Sequence, residues 1–382
     1  MIDQNEILEK IKESLPLSSI QKGKLSNSLF TGGAGILLFY ALEMLTTEEN
    51  YLNEDFEQSL VILCNRASEY STASFCNGYA GFLWLLDFFK KNNILDEAFD
   101  LNIYSDQLHR DLNIYVNNDN MDFLHGATGL AYVSLNIFSD PKLELYFNTL
   151  LNKVEKTDEG YCLSTKFTLE HREVYDFGLA HGMINLLPIL DLCIDRNIYK
   201  ELAKDIFNGI FNYYINTIGR YSKKSFFPNF LDLTDHNFSS FESRLAWCYG
   251  DLGILFLLYK YASKYYSRDK SSFLLDKLKI TAKRKDDIDT EIGDYSICHG
   301  STGASIIFKI LFIKTGEDIF NEASSYWEKR SMEYYLSNNV SSGVKNHSII
   351  EGSLGVGILI LMNKNNLFAN DFLLKWADMF LL

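Results

Sequence analysis

Three residues of this chain have the types and spacing of a metal site: Cys248, in Trp247-Cys248-Tyr249-Gly250, and the pair Cys298-His299, in Ile297-Cys298-His299-Gly300. Thiolates and imidazole are donors that zinc prefers, and three protein ligands with a fourth position open is the pattern of a catalytic site. Both cysteines stand two residues before the first glycine of a G-x-x-G turn. That shared register asks how often the turn recurs.

Aligned on the first glycine, the turn recurs at Gly32, Gly78, Gly126, Gly182, Gly250, Gly300 and Gly352, at intervals of 46 to 68 residues, with Asn185 in place of the second glycine in the fourth copy. A repeat near this length is one supersecondary unit that buries its apolar face by stacking on its neighbours. The runs after the turns (Ile36 to Leu45, Phe82 to Phe89, Leu130 to Phe138, Leu186 to Leu192, Ile254 to Tyr261, Ser305 to Ile313, Val356 to Met362) are apolar nearly all round, the pattern of buried helices. Amphipathic segments follow at Asp55 to Ala67, Glu97 to Tyr115, Pro141 to Val154, Tyr199 to Ile218, Lys270 to Lys283 and Asp318 to Leu336, and read as outer helices. The expected fold is all-α: an α/α toroid, a double ring of about seven inner and seven outer helices, closed by an N-terminal helix (Ile2 to Ser14) and a C-terminal one (Asp371 to Leu382). With no Pro/Ser-rich linker, residues 1–382 read as one domain. Pro188 should kink or delay the fourth inner helix. The longest interval holds an aromatic, Pro-containing stretch, 219–243, which reads as an inserted loop or short strands, either beside the site or a passive surface insertion.

The seven copies act as controls for one another. Two residues before the glycine stand Phe30, Cys76, Leu124, Ala180, Cys248, Cys298 and Ile350, and one before stand Thr31, Asn77, His125, His181, Tyr249, His299 and Glu351. Four before, the residue is small in every copy (Ser28, Ser74, Gly178, Ala246, Ser296, Ser348) except Asp122. Repeats 5 and 6 are adjacent, so Cys248 and Cys298-His299 can converge, with His181 and Asp122 continuing the same arc. Cys76 shares the register but lies across the ring, and reads as a small buried thiol. His125 has no ligand neighbour and reads as pocket lining. Arg244, one turn before Cys248 if that approach is helical, either points a cation at the site or forms a surface salt bridge.

Lys and Arg total 36 against 50 Asp and Glu, a net charge of -14, which argues against nucleic acid because that binding rests on phosphate neutralisation. The basic run Lys277 to Lys285 is followed by Asp286-Asp287 and reads as a solvated face. An acidic surface suits a cationic partner such as a basic peptide. No apolar run approaches the roughly 18 to 20 residues that span a bilayer, and Met1 to Glu13 lacks a signal-peptide core. Six cysteines without an export signal read as thiols or ligands. A cytoplasmic location is expected.

Arg244-Leu-Ala-Trp-Cys-Tyr-Gly250, followed by Cys298-His-Gly300 and framed by the seven turns, resembles the lanthionine synthetase C-like family, the cyclases of lantibiotic biosynthesis. The resemblance implies a double ring of helices around Zn2+, with Cys248, Cys298 and His299 as ligands. It puts the acid/base histidine on His181, the family aspartate on Asp122, and the family arginine and tyrosine on Arg244 and Tyr249. His125 stands where relatives commonly carry an acidic residue. The implied reaction adds peptide Cys thiolates to dehydroalanine or dehydrobutyrine, forming (methyl)lanthionine rings. A cysteine thiol has a pKa of roughly 8.5 and is a poor nucleophile at neutral pH until it is held as thiolate. His181 would then carry the proton to the enolate, oriented by Asp122, while Arg244 or Tyr249 stabilises its oxygen. The length resembles the stand-alone class I enzymes, so the implied partners are a dehydrated precursor peptide, a separate dehydratase and an ABC exporter in a membrane-associated assembly. Such partners would place the protein peripherally at the membrane. Two alternatives stand: a relative that adds glutathione or another thiol to dehydrated residues, and a noncatalytic zinc-bearing scaffold. Toroidal glycosidases and terpene cyclases need paired carboxylates or Asp-rich motifs, absent from the positions compared.

Overall fold

A computed structural model describes residues 3–15, 17–23, 25–46, 54–66, 70–167, 172–222, 224–233, 243–341, 346–364 and 373–382. The chain opens on α1 (Gln4–Ser14) and the single turn α2 (Leu17–Gln21), and then alternates buried and half-buried helices. In order these are α3 (Gly33–Thr46) and α4 (Glu54–Asn65), α5 (Tyr79–Lys91) and α6 (Ser105–Asn117), α7 (Ala127–Ile137) and α8 (Glu144–Lys153), and α9 (Leu186–Asp195) and α10 (Lys200–Thr217). They continue through α11 (Asp251–Tyr265) and α12 (Arg268–Thr281), the short α13 (Asp287–Thr290), α14 (Ser301–Thr315) and α15 (Asp318–Ser341), and end at α16 (Ser353–Lys364).

The inner helices α3, α5, α7 and α9 pack in succession, as do α11, α14 and α16, and α16 returns to α3. Between α9 and α11 the turns join directly, Leu179 N–H donating to Cys248 C=O at 2.7 Å. The result is the α/α toroid. The outer helices α4, α6, α8, α10, α12 and α15 follow their inner partners, and α1 packs on α16 as the seventh. The N-terminal helix begins at Gln4 under an Asp3 cap, with Ile2 outside the described residues.

Each turn is tight for a steric reason. A Cβ on the second glycine of six turns (Gly35, Gly81, Gly129, Gly253, Gly303, Gly355) would strike the backbone carbonyl of the residue six positions earlier. Turn 4 has Asn185 there, and the chain takes a 3-10 turn over Met183–Asn185 before α9 begins at Leu186. Pro188 therefore falls in the first turn of α9, where N–H groups lack intrahelical acceptors anyway, so the helix is delayed and not kinked.

Three features depart from the sequence expectation. Residues 373–382 hold a 3-10 helix (Leu373–Phe380), not an α-helix, and it fills the middle of the ring. Phe380 C=O accepts from Trp247 Nε1 at 2.8 Å, its ring meets Phe30 edge-on at 5.5 Å, and Asp378 C=O accepts from Tyr132 at 2.9 Å. Those contacts reach repeats 5, 1 and 3, on different sides of the toroid. Asp371 lies outside the described residues. Second, a four-stranded antiparallel sheet interrupts the helices, with β1 (Val154–Thr157), β2 (Gly160–Phe167), β3 (Arg172–Asp176) and β4 (Phe230–Asp232) in that spatial order. The 219–243 stretch supplies only β4; the rest comes from residues read as the tail of an outer helix and its linker. In the same stretch 223 and 234–242 lie outside the described residues. Third, the approach to Cys248 is not helical: Arg244 forms an isolated bridge with Gly250.

Candidate metal centre

The turns are stitched by backbone bonds at the residue two before the glycine. Phe30 donates to Cys76, Cys76 to Leu124, Cys248 to Cys298, Cys298 to Ile350, and Ile349 to Phe30, at 2.8 to 3.4 Å. This belt places Cys248 and Cys298 side by side, with Cys248 N–H on Cys298 C=O at 3.1 Å. The ligand atoms of Cys248, Cys298 and His299 all lie within 4.8 Å of one another, and among the described residues the group has three members.

The electrostatics fit a cation. The Cys248 thiol is lowered, first by the hydrogen bond from Cys298 and then by His299, against burial that would raise it. Cys298, half-buried and the donor in that pair, is pushed up. His299 is raised to about 10, chiefly by its bond to Asp294 and next by Cys248. Its Nε2 meets Asp294 Oδ2 at 3.1 Å, which leaves Nδ1 as the ligand nitrogen. Burial alone would raise Asp294, but the bonds from His299 and Ser296 bring it down to about 2.

Turn chemistry explains where the carboxylates stand. Four residues before the glycine, the Ser hydroxyl accepts the backbone N–H one residue before the glycine: Asn77 on Ser74 at 3.3 Å, His299 on Ser296 at 3.2 Å, Glu351 on Ser348 at 3.0 Å. Asp122 does the same with Oδ1, accepting His125 N–H at 2.6 Å. Its second oxygen is surplus to the turn and takes His181 Nδ1 at 2.6 Å. Turns 3 and 4 are also the neighbours that, among the described residues, lack a backbone stitch, so this side-chain bond spans the junction.

The position six before the glycine works alike: its side-chain oxygen accepts the N–H two residues on, for Asn120, Asp176, Asp294 and Asn346. Where an aspartate replaces the amide, the surplus oxygen again holds a reactive side chain. Asp294 holds His299, and Asp176 accepts the Tyr249 hydroxyl at 2.8 Å. Asp176 and Asp294 were missed by the sequence reading, which compared other columns.

His181 is raised: burial pulls it down, but the bond and charge of Asp122 outweigh that. His125 stacks on it at 5.9 Å and Tyr249 lies at 6.0 Å on another side. Arg244 stands half-exposed in a loose 3.7 Å pair with Glu291, its Nε without a hydrogen bond and its charge felt at Cys298. Three described residues of the 219–243 stretch are pinned nearby: buried Asp251 accepts Phe226 N–H, Phe227 N–H and the Ser243 hydroxyl at 2.9 to 3.1 Å and pairs with Arg284 at 3.0 Å. Cys76, across the ring, is buried, bonds its own neighbour Asn77 at 3.5 Å, and is pushed up to about 12 by burial.

Fold and site together define an α/α toroid that gathers two thiols and an imidazole at its mouth, beside a carboxylate-held histidine. The chain belongs to the lanthionine synthetase C-like protein family, whose profile matches residues 23–379. Among solved structures it resembles nisin cyclase, with a TM-score of 0.72 at 19% identity over 99% of this chain and 98% of that one. At that identity the likeness concerns the fold. No curated protein matches. Among the described residues no helix is long and apolar enough to cross a membrane.

Proposed function

We propose that this protein is a zinc-dependent cyclase that adds cysteine thiolates of a dehydrated precursor peptide to dehydroalanine or dehydrobutyrine residues of the same peptide, forming thioether rings. The observation that carries this is the three-member S,S,N group at the mouth, beside His181 on Asp122. Cys248, Cys298 and His299 would hold Zn2+, which when bound supplies the charge that lets a peptide thiol serve as thiolate at neutral pH. Two thiolates and one neutral imidazole suit a divalent ion and leave room for an exogenous ligand.

The remaining steps belong to the chain. The thiolate sulfur forms a bond to the β-carbon of the dehydro residue as its C=C π bond breaks, and the electron pair moves onto the amide as an enolate. Arg244 supplies a cation for the enolate oxygen. His181 delivers the proton to the α-carbon, and Asp122 fixes the tautomer by taking Nδ1, leaving Nε2 to face the substrate. His181 is kept protonated to higher pH than a free imidazole by that carboxylate, which suits an acid. The proton that the thiol gives up is balanced by the one that reaches the α-carbon, so the product has the mass of the reactant. The membership of the lanthionine synthetase C-like family supports this reading, as does the fold shared with nisin cyclase. A dehydratase would supply the substrate, and an exporter in a membrane-associated assembly would take the product.

The test is to incubate a dehydrated precursor with the protein, alkylate remaining thiols and weigh the adducts. Loss of alkylatable thiol is expected with the intact protein, and unchanged thiol in the presence of zinc would refute the reading.

A further inference from the structure

We propose that Asp176 is a positioning residue that makes the Tyr249 phenol a hydrogen-bond acceptor at the mouth, for an N–H or S–H of the substrate peptide. This rests on the cyclase reading above. Asp176 is buried, 4% exposed, and both oxygens are committed: Oδ1 to Gly178 N–H at 2.8 Å and Oδ2 to the Tyr249 hydroxyl at 2.8 Å. A phenol has one hydrogen. With that hydrogen on Asp176, only lone pairs of Tyr249 remain for the pocket. The ring is fixed as well: a Cβ on Gly178 would sit 2.6 Å from it, so glycine is what lets the ring lie there, 6.0 Å from His181.

Two consequences follow. Tyr249 cannot donate to the enolate oxygen while so held, which leaves that contact to the Arg244 cation, loosely paired with Glu291 at 3.7 Å. And, apart from a smaller charge effect on His181, Asp176 reaches the mouth through Tyr249, since its other oxygen serves the turn as Asn120 and Asn346 do in turns 3 and 7.

Asp176→Asn discriminates. Asparagine fills this register in two other turns, so the turn is retained, with Oδ1 on Gly178 N–H. Its Nδ2 then donates to the phenol oxygen and releases the phenol hydrogen toward the mouth. Thiol consumption and zinc content would be measured for wild type, Asp176→Asn, Tyr249→Phe and the double variant. The expected result is a fall in kcat/KM of about tenfold in either single variant, no further loss in the double, and wild-type zinc content in all. Wild-type or faster ring closure by Asp176→Asn would show the phenol to be a donor and overturn the inference. So would a loss repeated in full on the Tyr249→Phe background, or loss of zinc. Each of these three outcomes leaves the cyclase reading standing if wild type closes rings; a wild type that consumes no thiol removes both readings.

Discussion

Turns 2 and 6 have nearly the same letters, Thr72-x-Ser74-x-Cys76-Asn77-Gly78 against Asp294-x-Ser296-x-Cys298-His299-Gly300, yet among the described residues only turn 6 of the two contributes to the sulfur and nitrogen cluster. In turn 2 the Thr72 and Ser74 hydroxyls are taken up by each other at 3.2 Å and by the turn, and Cys76 bonds its neighbour Asn77. In turn 6 Asp294 brings a second oxygen, and that oxygen holds His299. The neighbouring turn matters equally, because the belt sets Cys298 against Cys248, whereas Cys76 sits between Phe30 and Leu124. The difference teaches that a thiol in this register joins a cluster able to hold a metal when the adjacent turn offers a second sulfur and its own turn a carboxylate to hold the imidazole.

The largest effect that would break the comparison is at the two cysteines themselves. Cys298→Ala is expected to lose zinc and cyclisation together, a fall of at least ~10³-fold, while Cys76→Ala keeps full metal content and activity within about twofold, checked by elemental analysis and thiol alkylation. Equal losses in both would erase the distinction. Next, His181→Gln is expected to keep zinc and lose roughly 10² to 10⁴ in ring closure, the size of a general acid/base contribution.

Asp294→Asn keeps the turn bond to Ser296 but weakens the grip on His299, and zinc affinity measured by competition with a chelator is expected to drop about 10- to 100-fold. Asp122→Ser installs the residue that four other turns carry. It retains the cap on His125 N–H and frees His181, so ring closure is expected to fall by about tenfold with the fold intact.

The smallest effect concerns pH. Asp122 raises His181, so the pair stabilises the folded protein below the unfolded histidine pKa of roughly 6.5, and that contribution fades as pH rises through the raised folded value. Asp122→Ser is therefore expected to lower thermal stability more at pH 6 than at pH 9, and to move the alkaline limb of the rate profile to lower pH. A limb that stays in place would separate His181 from the proton transfer.

Much of this arrangement was legible in the sequence because the repeat supplies its own controls. Seven glycines in register located the ring, and the out-of-place Asp122 in a column of small residues pointed to His181 before any coordinates. Asp176 and Asp294 were equally visible, six residues before the glycine, but that column mixes Ser, Thr, Asn, Asp and Arg, and the oxygen shared by the turn hides the one left over. The sheet escaped because Val154-Glu155-Lys156-Thr157 is mostly solvent-exposed and carries no apolar alternation, and because β3 and β4 pair across more than fifty residues. The C-terminal 3-10 segment carries the apolar residues of a buried helix; its place inside the ring depends on Trp247, Tyr132 and Phe30, which no local pattern connects to it.

The most direct measurement is X-ray absorption at the zinc edge, taken before and after adding a dehydrated precursor peptide with free thiols. Two sulfurs and one imidazole nitrogen with one light-atom ligand are expected at rest, and a third sulfur in place of that ligand once peptide is bound. A coordination shell already filled by four protein ligands, or one that peptide thiol leaves unchanged, would contradict the cyclase reading.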